Sequence, residues 1–137
     1  MIPKPSIWMI RISMIWLLVS AMAGGLILTH KAADLHPALW SLLPVHYELA
    51  IWGWLVQFVI GTAYWIFPKK LEGERRGPVL PAWVMVFLFN IGLIFLVLSS
   101  FSPNISANAL IGRSLLAISI LIFAGLIWQR VVSYRNR

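Results

Sequence analysis

Residues 46–68, HYELAIWGWLVQFVIGTAYWIFP, make an apolar run that carries no full charge after Glu48 and stops at Pro68. A hydrocarbon core about 30 Å thick is crossed by roughly 20 residues of helix, so this run is long enough to span a bilayer. At about 100° per residue, His46, Ala50, Gly53, Gln57 and Tyr64 fall on one side of that helix, with Gly61 at the edge. That side is small and polar, while Trp52, Trp54, Phe58 and Trp65 make the remainder bulky. Lipid requires no such groove. A flat group or another helix is expected to lie against it.

Three further runs have the same character, giving expected spans at about 7–29, 46–67, 81–100 and 108–129. Only 11% of the 137 residues are charged, whereas a soluble domain carries about 25%. The expected fold class is therefore an all-α integral membrane protein, a single four-transmembrane-helix bundle. Eight tryptophans and three tyrosines, several near span ends, suit interfacial belts. There is no cysteine, which excludes disulfides, thiolate metal sites and covalent c-type haem attachment.

Along the chain, Pro3 and Pro5 are expected to keep the start non-helical, and an apolar run follows Arg11 from Ile12 to Leu28. Lys4 and Arg11, Ile12–Ser20 and Ala21-Met22-Ala23 also have the parts of a cleavable signal peptide. A retained first span is the preferred reading. Asp34 followed by Pro37 predicts a short interfacial helix through Leu43, which Pro44 ends before the second span. KKLEGERRGPVLP after Pro68 reads as a solvent loop, and Pro81 opens the third span. FSPNISA makes a short turn; its Asn104-Ile105-Ser106 matches a glycosylation acceptor that nothing else supports. No internal repeat stands out.

Four spans place both termini on one side, together with nine of the eleven basic residues; only Lys31 and Arg113 lie opposite. The positive-inside rule then predicts cytoplasmic termini in the cell inner membrane, with His30, Asp34, His36 and His46 at or near the outer face. The net charge of +7 is explained by this topology and needs no nucleic-acid partner.

His46 is the leading candidate for chemistry, since neutral imidazole is a common metal ligand and the usual axial ligand of haem iron. Beside it, Ala50 and Gly53 would leave room for a macrocycle to lie flat. The plainer reading is an interfacial histidine bonded to water or a headgroup. His30, His36 and Asp34 are candidate copper or zinc ligands, but their spacing fits no rigid helical pair, and surface loop residues are the better reading. Gln57 and Asn90, at mid-membrane, are most simply interhelical hydrogen-bond partners. Gly24, Gly25 and Gly53 equally permit close packing of helices with no cofactor. Glu48 lies about 200° round the helix from His46 and is a candidate partner for Arg113.

His46, Gly53, Gly61, Trp65 and Pro68 together resemble the second transmembrane helix of the haem-copper oxidase catalytic subunit and its nitric oxide reductase relatives. The closing Tyr-Trp-Ile-Phe-Pro is the most telling part, and the basic loop and Asn90-Ile91-Gly92 are similar to the next part of that subunit. The resemblance covers about residues 40–100. It implies that His46 ligates a low-spin haem b; the helix face of Ala50, Gly53, Gln57 and Gly61 would then lie along the haem, and Arg113, about a turn inside the fourth span, would either snorkel to headgroups or pair with a propionate. That family's subunit has about twelve helices in three quasi-repeats of four and takes further histidines from other helices. No span here holds a second histidine, so one copy cannot build an oxidase site. Three copies about a threefold axis would resemble one such subunit, so a homotrimer is the expected assembly.

The function expected from these residues is a small haem-binding, b-type cytochrome-like membrane protein in electron transfer or haem handling, beside a respiratory-chain partner. The alternatives are a cofactor-free accessory or assembly subunit of a respiratory complex, and a metal-binding protein with a three-histidine copper or zinc site. No nucleophile–base set, paired acids or phosphate loop supports an enzyme. The absence of intramembrane acid pairs and of broken helices weighs against a transporter.

Overall fold

A computed structural model describes residues 1–69, 76–101 and 105–135, and side chains through residue 131. Helix α1 spans Lys4–Ala33. A 3₁₀ turn, Pro37–Ser41, leads into α2, Leu42–Glu48, which continues as a π-helix over Leu49–Val56 and then as α3, Gln57–Ile66. Helices α4, Val79–Ser99, and α5, Ile105–Arg135, complete the bundle. There are no strands among the described residues. Lys4–Ala33, Pro37–Ile66, Val79–Ser99 and Ile105–Val131 are each long and apolar enough to cross a membrane. The glycosylation match at Asn104 and the charged residues 70–75 lie outside the described residues.

Three boundaries differ from expectation, each because a proline sits within a first helical turn. Amides there have no intrahelical partner, so the missing N–H costs nothing. Helix α1 therefore begins at Lys4 with Pro5 inside it and Pro3 as its N-cap, rather than after a non-helical start. Pro44 does not turn the chain; the 3₁₀ turn ends at Ser41, Pro44 lies in the first turn of the α2 helix that follows directly, and the apolar stretch runs from Pro37 to Ile66. Pro81 is likewise in the first turn of α4. Asp34 does not cap the following turn but closes α1, at φ 47, with its N–H donating to the His30 carbonyl at 2.8 Å. Gly77, at φ +79, turns the chain into α4, a conformation side chains disfavour.

The π-helix changes which residues of the second span face inward. Val45, Leu49, Gly53, Gln57 and Gly61 are all buried, a spacing of four. In an ordinary helix such a row drifts about 40° per step, and the wider π winding straightens it. The buried line therefore runs through Val45 and Leu49, where a uniform α-helix puts His46 and Ala50, which are half-buried at its margin.

Helix α1 packs along that line. Its buried positions include Ser6, Ser13, Ser20 and Ile27, seven apart, and Met9, Ala23 and His30 on the adjoining row. Small residues at the seam let backbones approach, as membrane helices require when lipid is as apolar as the side chains. Ser6 Oγ reaches the Gly61 carbonyl at 2.6 Å. On the other half of the bundle, α4 and α5 cross at glycines: a Cβ on Gly92 would lie 2.9 Å from the Gly112 carbonyl oxygen, and one on Gly112 would lie 2.8 Å from that of Gly92. Met9, Ile60, Met85, Phe89, Leu93 and Leu116 join the two halves in one core.

Candidate functional site

His46 is set by α1. Its Nδ1 lies 2.9 Å from the Ser20 carbonyl oxygen and 3.2 Å from Ser20 Oγ, while Ser20 Oγ donates back to the His46 carbonyl at 3.0 Å. A carbonyl only accepts, so Nδ1 carries the proton, and in the neutral ring Nε2 keeps its lone pair. Gly24 makes this possible. A Cβ there would meet His46 Cε1 at 2.8 Å and Nδ1 at 2.9 Å, so the ring rests on bare backbone. His46 lines an open concavity of about 330 Å³ with Gly24, Lys31, Trp40, Leu43 and Tyr47. An imidazole whose second nitrogen donates to a backbone carbonyl is oriented as metal-ligating histidines are.

The other residues of the candidate set are not gathered round that nitrogen. Against Gly53, a Cβ would meet Trp16 Cβ at 2.9 Å; against Gly61, it would meet Met9 Cβ at 2.8 Å. A macrocycle laid along this line would occupy the volume of α1, so the helix is what fills the groove. Ala50 sits half-buried beside it. Gln57 Nε2 donates to the Met9 carbonyl and to Asn90 Oδ1, both at 3.3 Å, and Trp16 Nε1 donates to the same Oδ1 at 3.1 Å. With Asn90 Nδ2 on the Val86 carbonyl at 2.9 Å, this network ties α3, α1 and α4 together at mid-span, while Gln57 Oε1 is buried without a partner among the described residues. Arg113 pairs with Glu48 at 2.9 Å, joining α5 to α2 from an exposed position. As a fit for haem, the donor chemistry is met at His46, and the helix surface implied for the macrocycle is met by α1 instead.

The two remaining histidines serve the connection. His30 is buried, its Nδ1 accepts from the His36 amide at 3.2 Å, and its ring meets Trp40 edge-on at 5.6 Å. His36 Nδ1 accepts from the Ala38 amide at 3.2 Å, capping the 3₁₀ turn. Among the described residues no three of His, Cys, Asp and Glu come together as a metal-ligand cluster.

A residue that reads in the sequence as one more basic member of the C-terminal tail has a specific place. Arg130 has no accessible surface. It donates through Nη1 to the Tyr64 carbonyl at 2.9 Å, and through Nε and Nη2 to the Arg76 carbonyl at 3.1 and 2.5 Å, with its guanidinium 4.2 Å above the Tyr64 ring. The signal for it was Pro68. Without an N–H, Pro68 cannot satisfy the carbonyl four residues back, which is Tyr64.

These features define a four-helix protein with spans suited to a bilayer and one pinned, half-buried imidazole beside a concavity at the end away from the termini. No protein-family model, curated protein or solved structure matches the chain.

Proposed function

We propose that this is a multi-pass protein of the cell inner membrane, with both termini cytoplasmic, that binds a b-type haem through His46 Nε2 at the outer face and acts in electron transfer or haem handling. The observation that carries the reading is the 2.9 Å approach of His46 Nδ1 to the Ser20 carbonyl, which assigns the proton to Nδ1 and leaves Nε2 its lone pair, on a ring that lines the concavity. Trp40 and Tyr47 offer aromatic walls there, and Lys31 a cation for a propionate. One chain presents one such nitrogen, so a six-coordinate centre takes its second ligand from another copy. The resemblance to one four-helix repeat makes a homotrimer the preferred assembly, next to a respiratory-chain partner.

A specific observation favours a second reading. Gly53 and Gly61 pack directly on α1, as they would in a cofactor-free accessory or assembly subunit that keeps the helical pattern for packing. Visible spectra of the purified full-length protein, oxidised and then reduced, separate the two. A Soret band with sharp reduced bands, lost in His46→Ala, is the expected result. A protein left colourless when haem is supplied during expression sinks the haem reading; copper or zinc retained by the wild type and lost in His46→Ala would then point to a shared three-histidine site.

A further inference from the structure

At the end of the bundle that carries the termini, the Arg130 guanidinium holds the backbone of Arg76, and among the described residues neither arginine is in an ion pair. Arg130 is wholly buried, and its described hydrogen bonds go to carbonyl oxygens alone. Those three bonds leave two of the five N–H groups of a guanidinium over. Arg76 adjoins it, since its carbonyl accepts from Arg130 Nε and Nη2, and Arg76 Nη1 is buried with no partner among the described residues. Among the described residues the one ion pair, Glu48 with Arg113, is at the opposite end. Carbonyl dipoles and the face of Tyr64 soften a buried cation but do not neutralise it, and an uncompensated buried charge is costly. Lys69, exposed just past Pro68, adds a further positive group at this end.

We propose that Arg76, beside the buried Arg130, binds a phosphate oxyanion, supplied by the headgroup of an anionic phospholipid. Guanidinium matches phosphate geometry with paired N–H donors, and basic pockets between spans at the cytoplasmic face are where such headgroups seat. The site is independent of His46 and of any haem.

Full-length protein, purified in detergent and stripped of lipid, is melted with added phosphatidylglycerol, phosphatidylcholine or inorganic phosphate, and native mass spectrometry counts retained lipid. Phosphatidylglycerol is expected to raise the melting temperature saturably, well beyond phosphatidylcholine. Arg76→Gln, which keeps the backbone carbonyl that holds Arg130, is expected to weaken that response about fivefold. Lys69→Gln, the same change of charge nearby, is expected to preserve most of it. Inorganic phosphate acting as well as the lipid would keep the oxyanion site and assign it a soluble source. Equal losses in Arg76→Gln and Lys69→Gln would mean diffuse surface charge and overturn the proposal. So would a Glu72→Gln/Glu74→Gln protein destabilised without lipid as much as Arg76→Gln, because the counter-ion would then be internal.

Discussion

Asn90 is the one side chain on which three helices depend for a polar partner. Its Oδ1 accepts from both Trp16 and Gln57, and its Nδ2 is occupied by the Val86 carbonyl one turn back. Removing it strands two donors in an apolar interior, whereas removing Gln57 as well strands only one. Asn90→Leu is therefore expected to destabilise the protein by about 1–3 kcal/mol, and Gln57→Leu/Asn90→Leu by less than Asn90→Leu alone. Reversible unfolding in mixed micelles measures both, and a double variant worse than the single one would show that the network is not a unit. The glue role of Gln57 and Asn90, and the Glu48–Arg113 pair, were legible because a polar group at mid-span has few partners within reach. Arg130 was not legible, because one arginine in a basic tail looks like every other. Only the carbonyl orphaned by Pro68 distinguishes it, and that requires knowing which helix passes behind Tyr64.

At the scale of elements, the existence of the four apolar helices follows from the hydropathy of the runs, while their ends do not. The expected stops at Pro5 and Pro44 treated proline as a breaker, although within a first turn it breaks nothing, whereas Pro3 is non-helical as expected, as the N-cap of α1. The inward face of the second span shifted for another reason. Phase counted at a uniform helical period cannot anticipate a π-helix over Leu49–Val56, and no residue there announces one. The serines at 6, 13 and 20 were a missed signal: small residues seven apart mark a close helix seam. Glycines test the packing most sharply. Gly112 faces the Gly92 carbonyl, a backbone atom that cannot swing aside, while a Cβ added at Gly25 would meet nothing within 4 Å, contrary to its expected packing role. Gly112→Ala is thus expected to force α4 and α5 apart at a cost of about 1–3 kcal/mol. Gly25→Ala should stay within about 0.5 kcal/mol of wild type or gain from helix propensity. Equal melting temperatures for the two variants would contradict the α4–α5 crossing.

For the whole molecule, hydropathy does not set direction, because four antiparallel spans fit a bilayer equally well either way up. Charge breaks the symmetry. Lys4, Arg11, Lys69 and Arg76 stand at the end with the termini, and the opposite end has Lys31 and an Arg113 already paired with Glu48. Insertion retains the strongly basic end on the cytoplasmic side, so the concavity of His46 is predicted to face outward. The absence of cysteine makes the prediction easy to check, since any introduced thiol is the only one present. Ser41→Cys, exposed on the 3₁₀ turn, should react in intact cells with a maleimide that cannot cross membranes. Lys69→Cys, exposed at the other end, should react only after the membrane is opened. The reverse pattern would put His46 inside the cell, and a haem there would exchange electrons with cytoplasmic partners instead of with those at the outer face. Labelling of both positions in intact cells would indicate two orientations, which a charge difference this lopsided argues against.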